Sequence, residues 1–265
     1  MRDSGHYKNL PHTHHPTVYR RKEIIGHCTL YLADCARVLP TLSRMPAVVT
    51  DPPYGIGASS GVGKYGLMKW GGVADLKWDE TPPTPALLEA VLRAADHHII
   101  WGANYLPLPP ARCVLVWDKG ACFRNRYFAE AELAWTSLDR PVKVFTRDPL
   151  ARKDYHRGRD HPTQKPVQLL DWCLSLLPNG CDTILDPFMG SGTTGVACVR
   201  AGKAFVGIER EPHYFEAACR RITETLRRPG LFDDVSLHTA TTGRVTPAGP
   251  PALRRGGRRQ KAETD

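Results

Sequence analysis

Two short stretches hold the residues best suited to chemistry. The first is A-V-V-T-D-P-P-Y-G-I, residues 47–56, where an apolar run ends in a carboxylate, two prolines and an aromatic ring. Proline fixes its own φ and keeps the preceding residue extended, so Asp51, Pro52, Pro53 and Tyr54 form a stiff end to a buried strand. A plain turn is the competing reading, since Asp-Pro is common turn chemistry. The second stretch is D-P-F-M-G-S-G-T-T-G, residues 186–195. Gly190, Gly192 and Gly195 fall in G-x-G-x-x-G spacing between a predicted strand and a predicted helix. Glycine lets backbone approach a ligand, and a helix N-terminus offers free N–H groups. Glu209 closes the next predicted strand, where a Rossmann-like unit places the acid that bonds a ribose hydroxyl. An NAD site sets its glycines directly after the strand, against a pyrophosphate. Here Asp186, Pro187 and Phe188 intervene, and a carboxylate suits a cationic sulfonium better than a phosphate. The pattern favours S-adenosylmethionine over a dinucleotide.

The elements that must hold these residues can be read from periodicity. Apolar runs at 28–34, 47–51, 97–103, 112–118, 130–137, 141–145, 182–186 and 203–209 read as strands. Helical spacing covers 85–95, 166–177, 193–201 and 212–227, with Pro166 in a first turn. Strands alternating with helices predict an α/β fold: a Rossmann-like, mostly parallel twisted sheet with helices on both faces. Asp51 and Asp186 both end predicted parallel strands, so both motifs should meet at one carboxyl edge, where open α/β sheets bind ligands. Trp101, Trp117 and Trp135 lie in strand-like runs and read as core.

With 265 residues the chain suits one substantial domain, and 42% hydrophobic and 24% charged residues are ordinary for a globular protein. No apolar run approaches the roughly 20 residues that span a bilayer, and the first residues lack an apolar signal core, so a cytoplasmic protein without membrane contact is expected. The eight cysteines form no C-x-x-C pair, and no second ligand cluster accompanies His12, His14 and His15, so no metal site is expected. A formal charge of +9 favours a polyanionic partner. The organisation expected is a loose arm at 1–22, a domain at 23–228 and a basic, Pro-, Gly- and Arg-rich tail at 229–265 too polar to fold.

Taken together, D-P-P-Y at 51–54, H-P-T-Q-K-P at 161–166 and D-P-F-M-G-S-G-T-T-G at 186–195 resemble the amino-group DNA methyltransferases that modify N6 of adenine or N4 of cytosine. The order, catalytic motif before cofactor motif, resembles the permuted beta class. Softer marks are G-A-N-Y at 102–105, V-W-D-K at 116–119, A-E-L-A-W-T-S at 131–137, G-I-E at 207–209 and Y-F-E-A-A-C-R-R-I at 214–222. The resemblance runs over about residues 28–225 and implies an S-adenosylmethionine-dependent methyltransferase fold. It assigns Asp51, Pro52, Pro53 and Tyr54 to catalysis. It assigns Asp186, Pro187, Phe188, Gly190, Ser191, Gly192 and Thr193 to the cofactor loop and Glu209 to the cofactor ribose. Thr163, Gln164 and Lys165 match the motif near the cofactor's methionine end, and Asp34 the acid near its adenine.

The chemistry implied is methylation of an exocyclic amine whose lone pair is delocalised into its ring. The Asp51 carboxylate and the Pro52 carbonyl would accept its N–H bonds and draw nitrogen toward sp³ geometry, with Tyr54 stacked on the flipped-out base. An Asp in the first motif position goes, in the family, more often with adenine N6; N4-cytosine is the alternative. Lys64, Lys69, Arg147, Arg152, Lys153, Arg157 and Arg159, in two basic loops, are expected phosphate contacts on double-stranded DNA. Only about residues 139–160 are available as a target-recognition insertion, so a short target, a recognition partner subunit or a share taken by the loop at 55–80 is implied. A homodimer is compatible with this reading. Compactness fits a solitary modification enzyme. An RNA or protein-amide methyltransferase, a non-catalytic DNA-binding relative and an NAD enzyme are the rivals.

Overall fold

The computed structural model describes residues 18–56, 81–125, 129–149 and 164–228. Lys64, Lys69, Arg152, Lys153, Arg157, Arg159 and Thr163 lie outside the described residues, as do the tail at 229–265 and most of the expected loop at 55–80.

Among the described residues nine strands form one sheet: β1 (Arg21–Ile25), β2 (Cys28–Leu32), β3 (Met45–Thr50), β4 (Ala95–Trp101), β5 (Val114–Asp118), β6 (Ala131–Thr136), β7 (Lys143–Thr146), β8 (Thr183–Asp186) and β9 (Ala204–Glu209). Their order is β1-β2-β9-β8-β3-β4-β6-β5-β7. The centre, β2-β9-β8-β3-β4, is parallel, while β1 and β6 run antiparallel to their neighbours. β8 and β3 register through Ala47↔Ile184 and Val48↔Leu185. From β8 the chain continues to β9 on one side, and from β3 to β4 on the other. Strand order therefore reverses between β8 and β3, which opens a crevice outside their carboxyl ends.

Period-two alternation in the central strands serves two cores. Ala47, Val49, Ile99, Ile184 and Phe205 pack with α3 (Val167–Leu176), α4 (Thr193–Arg200) and α5 (Pro212–Leu226). Val48, Ile100, Leu185 and Ile208 pack with α1 (Cys35–Val38) and α2 (Pro85–Arg93). Because both faces are covered, these strands read as continuous apolar runs. Local chemistry starts the helices: Thr84 Oγ1 accepts from Leu87 N at the head of α2, with Pro85 next. Trp101, Trp117 and Trp135 are all buried, as expected.

β1 is an element that periodicity did not show. Its five residues, R-K-E-I-I, pair with β2 across a turn at Gly26 and begin at Arg21, two residues before the expected start of the domain. An edge strand carries charge on both faces, so no alternation marks it.

Candidate functional site

Asp51 and Asp186 stand where the sequence puts them, at the carboxyl ends of the adjacent strands β3 and β8. A hydrogen bond joins the two motifs: Thr50 Oγ1 donates to Asp186 Oδ1 at 2.6 Å. The same oxygen accepts from Phe188 N at 3.1 Å, which bends the chain from β8 into the glycine loop. Asp186 is 2% exposed, and burial pushes its carboxyl up to about 6.

The loop between β8 and α4 is held from three directions. Gly190, at φ +51°, donates its N–H to Glu209 Oε2 at 2.9 Å, and the other oxygen of Glu209 accepts from Glu211 N at 2.8 Å. Burial raises Glu209 to about 7. Gly192, at φ +77°, lies so close to α5 that a Cβ there would sit 2.8 Å from the Cβ of Ala218. Arg221 of α5 donates to the Ser191 carbonyl at 2.6 Å, to Ser191 Oγ at 2.8 Å and to Thr193 Oγ1 at 3.1 Å. Ser191 Oγ lies 3.4 Å from Gln164 Oε1, which brings Gln164 to the loop. Pro187 is buried and Phe188 packs on the α1–α2 side of the sheet.

Asp186 and Glu209 make no ion pair among the described residues. Two buried carboxylates flanking a glycine loop suit a ligand that brings both positive charge and hydroxyl donors. S-adenosylmethionine fits that pair; a dinucleotide would bring its pyrophosphate against the Asp186 carboxylate.

On the β3 side each oxygen of the Asp51 carboxylate carries a donor. Tyr54 OH donates to Oδ1 at 2.5 Å, and Lys165 Nζ lies 2.5 Å from Oδ2. Lys165, 6% exposed, also reaches Tyr54 OH at 3.2 Å and Glu132 Oε2 at 3.2 Å. Lys119 holds the other Glu132 oxygen at 2.8 Å. The Lys165 ammonium sits over the rings of Trp101 and Tyr54, at 5.3 and 5.7 Å. Burial raises the Asp51 carboxyl in spite of Lys165. Burial works to lower Lys165, but Asp51 and Glu132 outweigh it and hold the ammonium above its ordinary value. Burial also works to raise Glu132, yet Lys165 and Lys119 together pull it down to about 2.

Lys165, placed by resemblance near the cofactor's methionine end, thus stands against Asp51, Tyr54 and Glu132. Tyr54 is stacked on Tyr105, with centroids 5.1 Å apart and planes at 18°. Gly102 makes room for it, since a Cβ at that φ of +86° would lie 2.3 Å from Tyr54 Cε1. Asp34 caps α1 through Ala36 N at 2.9 Å and lines an open pocket with Arg37 and Arg210 beyond the ends of β2 and β9. Arg147 is half-buried and tied to β5, its N–H donating to the Asp118 carbonyl and its own carbonyl accepting from Trp117 Nε1.

Glu132, Lys119, Gly102, Tyr105 and Arg221 carry geometry that the sequence left without a role. One signal was available: a carboxylate in the otherwise apolar run A-E-L-A-W-T of β6 needs a buried partner.

Residues 115–220 match the family model N6_N4_Mtase, described as DNA methylase. The chain is 30% identical over 151 residues to the type II methyltransferase M2.LlaDCHI of Lactococcus lactis subsp. cremoris, covering 57% of this chain and 50% of that one. It is 31% identical over 148 residues to the type II methyltransferase M2.DpnII of Streptococcus pneumoniae, covering 56% and 50%. The chain therefore spans about half the length of the curated relatives it matches. Among solved structures, the PvuII DNA methyltransferase (cytosine-N4-specific) is similar with a TM-score of 0.51 at 15% identity, over 78% of this chain and 95% of that one. At that identity the likeness is one of fold.

Proposed function

We propose that the protein, whose residues 115–220 match the DNA methylase family model, transfers a methyl group to an exocyclic amine of a base in double-stranded DNA, adenine N6 in preference to cytosine N4. The observation that carries this reading is the Thr50–Asp186 bond, which sets the D-P-P-Y carboxylate beside the glycine loop across the β3–β8 crevice. S-adenosylmethionine, when bound, supplies an electrophilic methyl on a sulfonium. Asp186 would face its positive charge, Glu209 would accept from its ribose, and the loop from Gly190 to Thr193 would cradle it.

On the other wall, Asp51 accepts N–H bonds from the amine and so localises its lone pair. Proline at 52 and 53 removes backbone freedom that would blur this alignment. The proton released by the amine passes to Asp51 or to water. Tyr54 would stack on the flipped base through the face away from Tyr105. Arg147, with the basic residues at 64, 69, 152, 153, 157 and 159, would take backbone phosphates, and DNA recognition would draw on the segment at 139–160, on a partner subunit or on a second copy. The preference for adenine rests on Asp at position 51.

The test is incubation with labelled S-adenosylmethionine and duplex DNA, followed by digestion and mass spectrometry of nucleosides. N6-methyladenine is the expected product, and N4-methylcytosine would correct the base alone. Label in RNA or in a protein amide, with none in DNA, would overturn the substrate. Asp51→Ala should lower transfer by about 10²–10⁴-fold while cofactor binding, followed by calorimetry, persists.

A further inference from the structure

An ammonium carries three N–H bonds, and three acceptors surround that of Lys165: Asp51 Oδ2 at 2.5 Å, Glu132 Oε2 at 3.2 Å and Tyr54 OH at 3.2 Å. Tyr54 OH in turn donates to Asp51 Oδ1 at 2.5 Å, so Asp51, Tyr54 and Lys165 close a ring of polar contacts. The ammonium is 6% exposed, with the face of Trp101 5.3 Å away. Two adjacent residues diverge here: Gln164 meets Ser191 of the glycine loop, whereas Lys165 meets the D-P-P-Y carboxylate. We propose that Lys165 is a positioning residue for the substrate amine and not a ligand of the cofactor: it keeps the Asp51 carboxylate ionised and fixed as the acceptor of the amine's N–H bonds. This rests on the methyltransferase reading above.

A carboxylate oxygen can accept two hydrogen bonds. Each Asp51 oxygen carries one donor, which leaves a place on each for an N–H of the amine. That capacity belongs to the anion. A protonated carboxyl would donate its O–H to the amine nitrogen and tie up the lone pair that the methyl needs. Burial drives Asp51 toward this neutral form, the nearby Glu132 carboxylate pushes the same way, and Lys165 opposes both. Glu132 also bonds the ammonium from its other side, and Lys119 balances Glu132 at 2.8 Å. Asp51, Lys165, Glu132 and Lys119 therefore alternate in sign along one chain of contacts, which fixes the cation against Asp51. The groups that face Asp51 are Tyr54 beside it, Lys165 ahead of α3, Glu132 on β6, and Asp186 at the end of β8; Tyr105 and Lys119 stand one contact behind.

The experiment has two readouts on the full-length protein. Asp51 is titrated by ¹³C NMR after labelling of aspartate carboxyls, its signal identified by its loss in Asp51→Asn. Methyl transfer to duplex DNA is followed against pH in single turnover at saturating S-adenosylmethionine. Lys165→Met should move the Asp51 titration up by at least about one pH unit. The acid limb of transfer should move with it, with about tenfold less transfer below the limb for each unit. Asp186 and Glu209 titrate in parent and variant alike, so the displacement between the two profiles reports Asp51. Lys165→Arg, which keeps the charge, should restore part of both, and affinity for S-adenosylhomocysteine should match the parent's in either variant. A titration or a limb that stays in place in Lys165→Met overturns the assignment. So does a loss of S-adenosylhomocysteine affinity with transfer unchanged at saturating cofactor, which would return Lys165 to the cofactor's side. If Lys165→Met does not fold, Lys165→Gln, whose amide can still bond Asp51 and Tyr54, is read in its place. A parent that methylates no nucleobase overturns the function proposed above and any role in transfer with it; an active parent whose limb Lys165→Met leaves in place overturns the role of Lys165 alone.

Discussion

Asp51, Asp186 and Glu209 are three carboxylates in one crevice, and their surroundings give them different tasks. Asp51 has a cation and a phenol on its oxygens, whereas among the described residues Asp186 and Glu209 have only hydroxyl and backbone donors. Burial accordingly leaves Glu209 titrating near 7 in the free protein. Ribose hydroxyls donated to the ionised form would lower that value in the complex, so binding would expel a proton below pH 7. Affinity for S-adenosylhomocysteine should therefore rise with pH from 5.5 to about 7 and level off above. Calorimetry across that range checks it. Glu209→Gln should flatten the slope, and an unchanged slope in that variant would remove Glu209 from the ligand's contacts.

At the scale of elements, the crevice depends on backbone positions that only glycine fills. Gly102, just after β4, is in the left-handed region and lies under the Tyr54 ring. Gly102→Ala should strain the backbone and push Tyr54 off Asp51, costing on the order of 1–3 kcal/mol of stability. Thermal unfolding would report that loss, and methyl transfer would fall with it. A variant equally stable and active would show that the Tyr54–Tyr105 stack is dispensable. The glycine loop depends likewise on α5, whose Arg221 collects the Ser191 carbonyl and two hydroxyls into one grip. A loop fixed by a distant helix is preorganised before a ligand arrives.

At the scale of the whole molecule, the site is a cost carried by the fold. Asp186 is 2% exposed and titrates near 6, above its value in an unfolded chain. The native state keeps a proton there that the unfolded state has already lost, so stability falls as pH rises through the window from about 4 to about 6. In Asp186→Asn, an Asn oxygen can still accept from Thr50 Oγ1 and Phe188 N. The variant should match the parent near pH 4 and exceed it at pH 8 by on the order of 2–3 kcal/mol, while binding S-adenosylmethionine far more weakly. Chemical denaturation at the two pH values measures this; a variant less stable at pH 8 would mean the carboxylate earns its place through packing.

Much of this was legible in one dimension. Covered on both faces, the central strands are continuous apolar runs, and the helices between them follow 3.6-residue spacing, so the parallel sheet and the meeting of Asp51 with Asp186 at one edge follow from the order of residues. Proline and glycine marked the two loops because their effect on backbone is local. The edge strand β1 and the partners of Asp51 were not legible in the same way. Lys165 is 114 positions from Asp51, and Glu132 lies between them on a strand whose antiparallel placement next to β4 periodicity cannot specify. Coulomb attraction acts through space, so which charges neutralise one another in a buried site is decided when the chain folds, while local backbone chemistry is already written residue by residue.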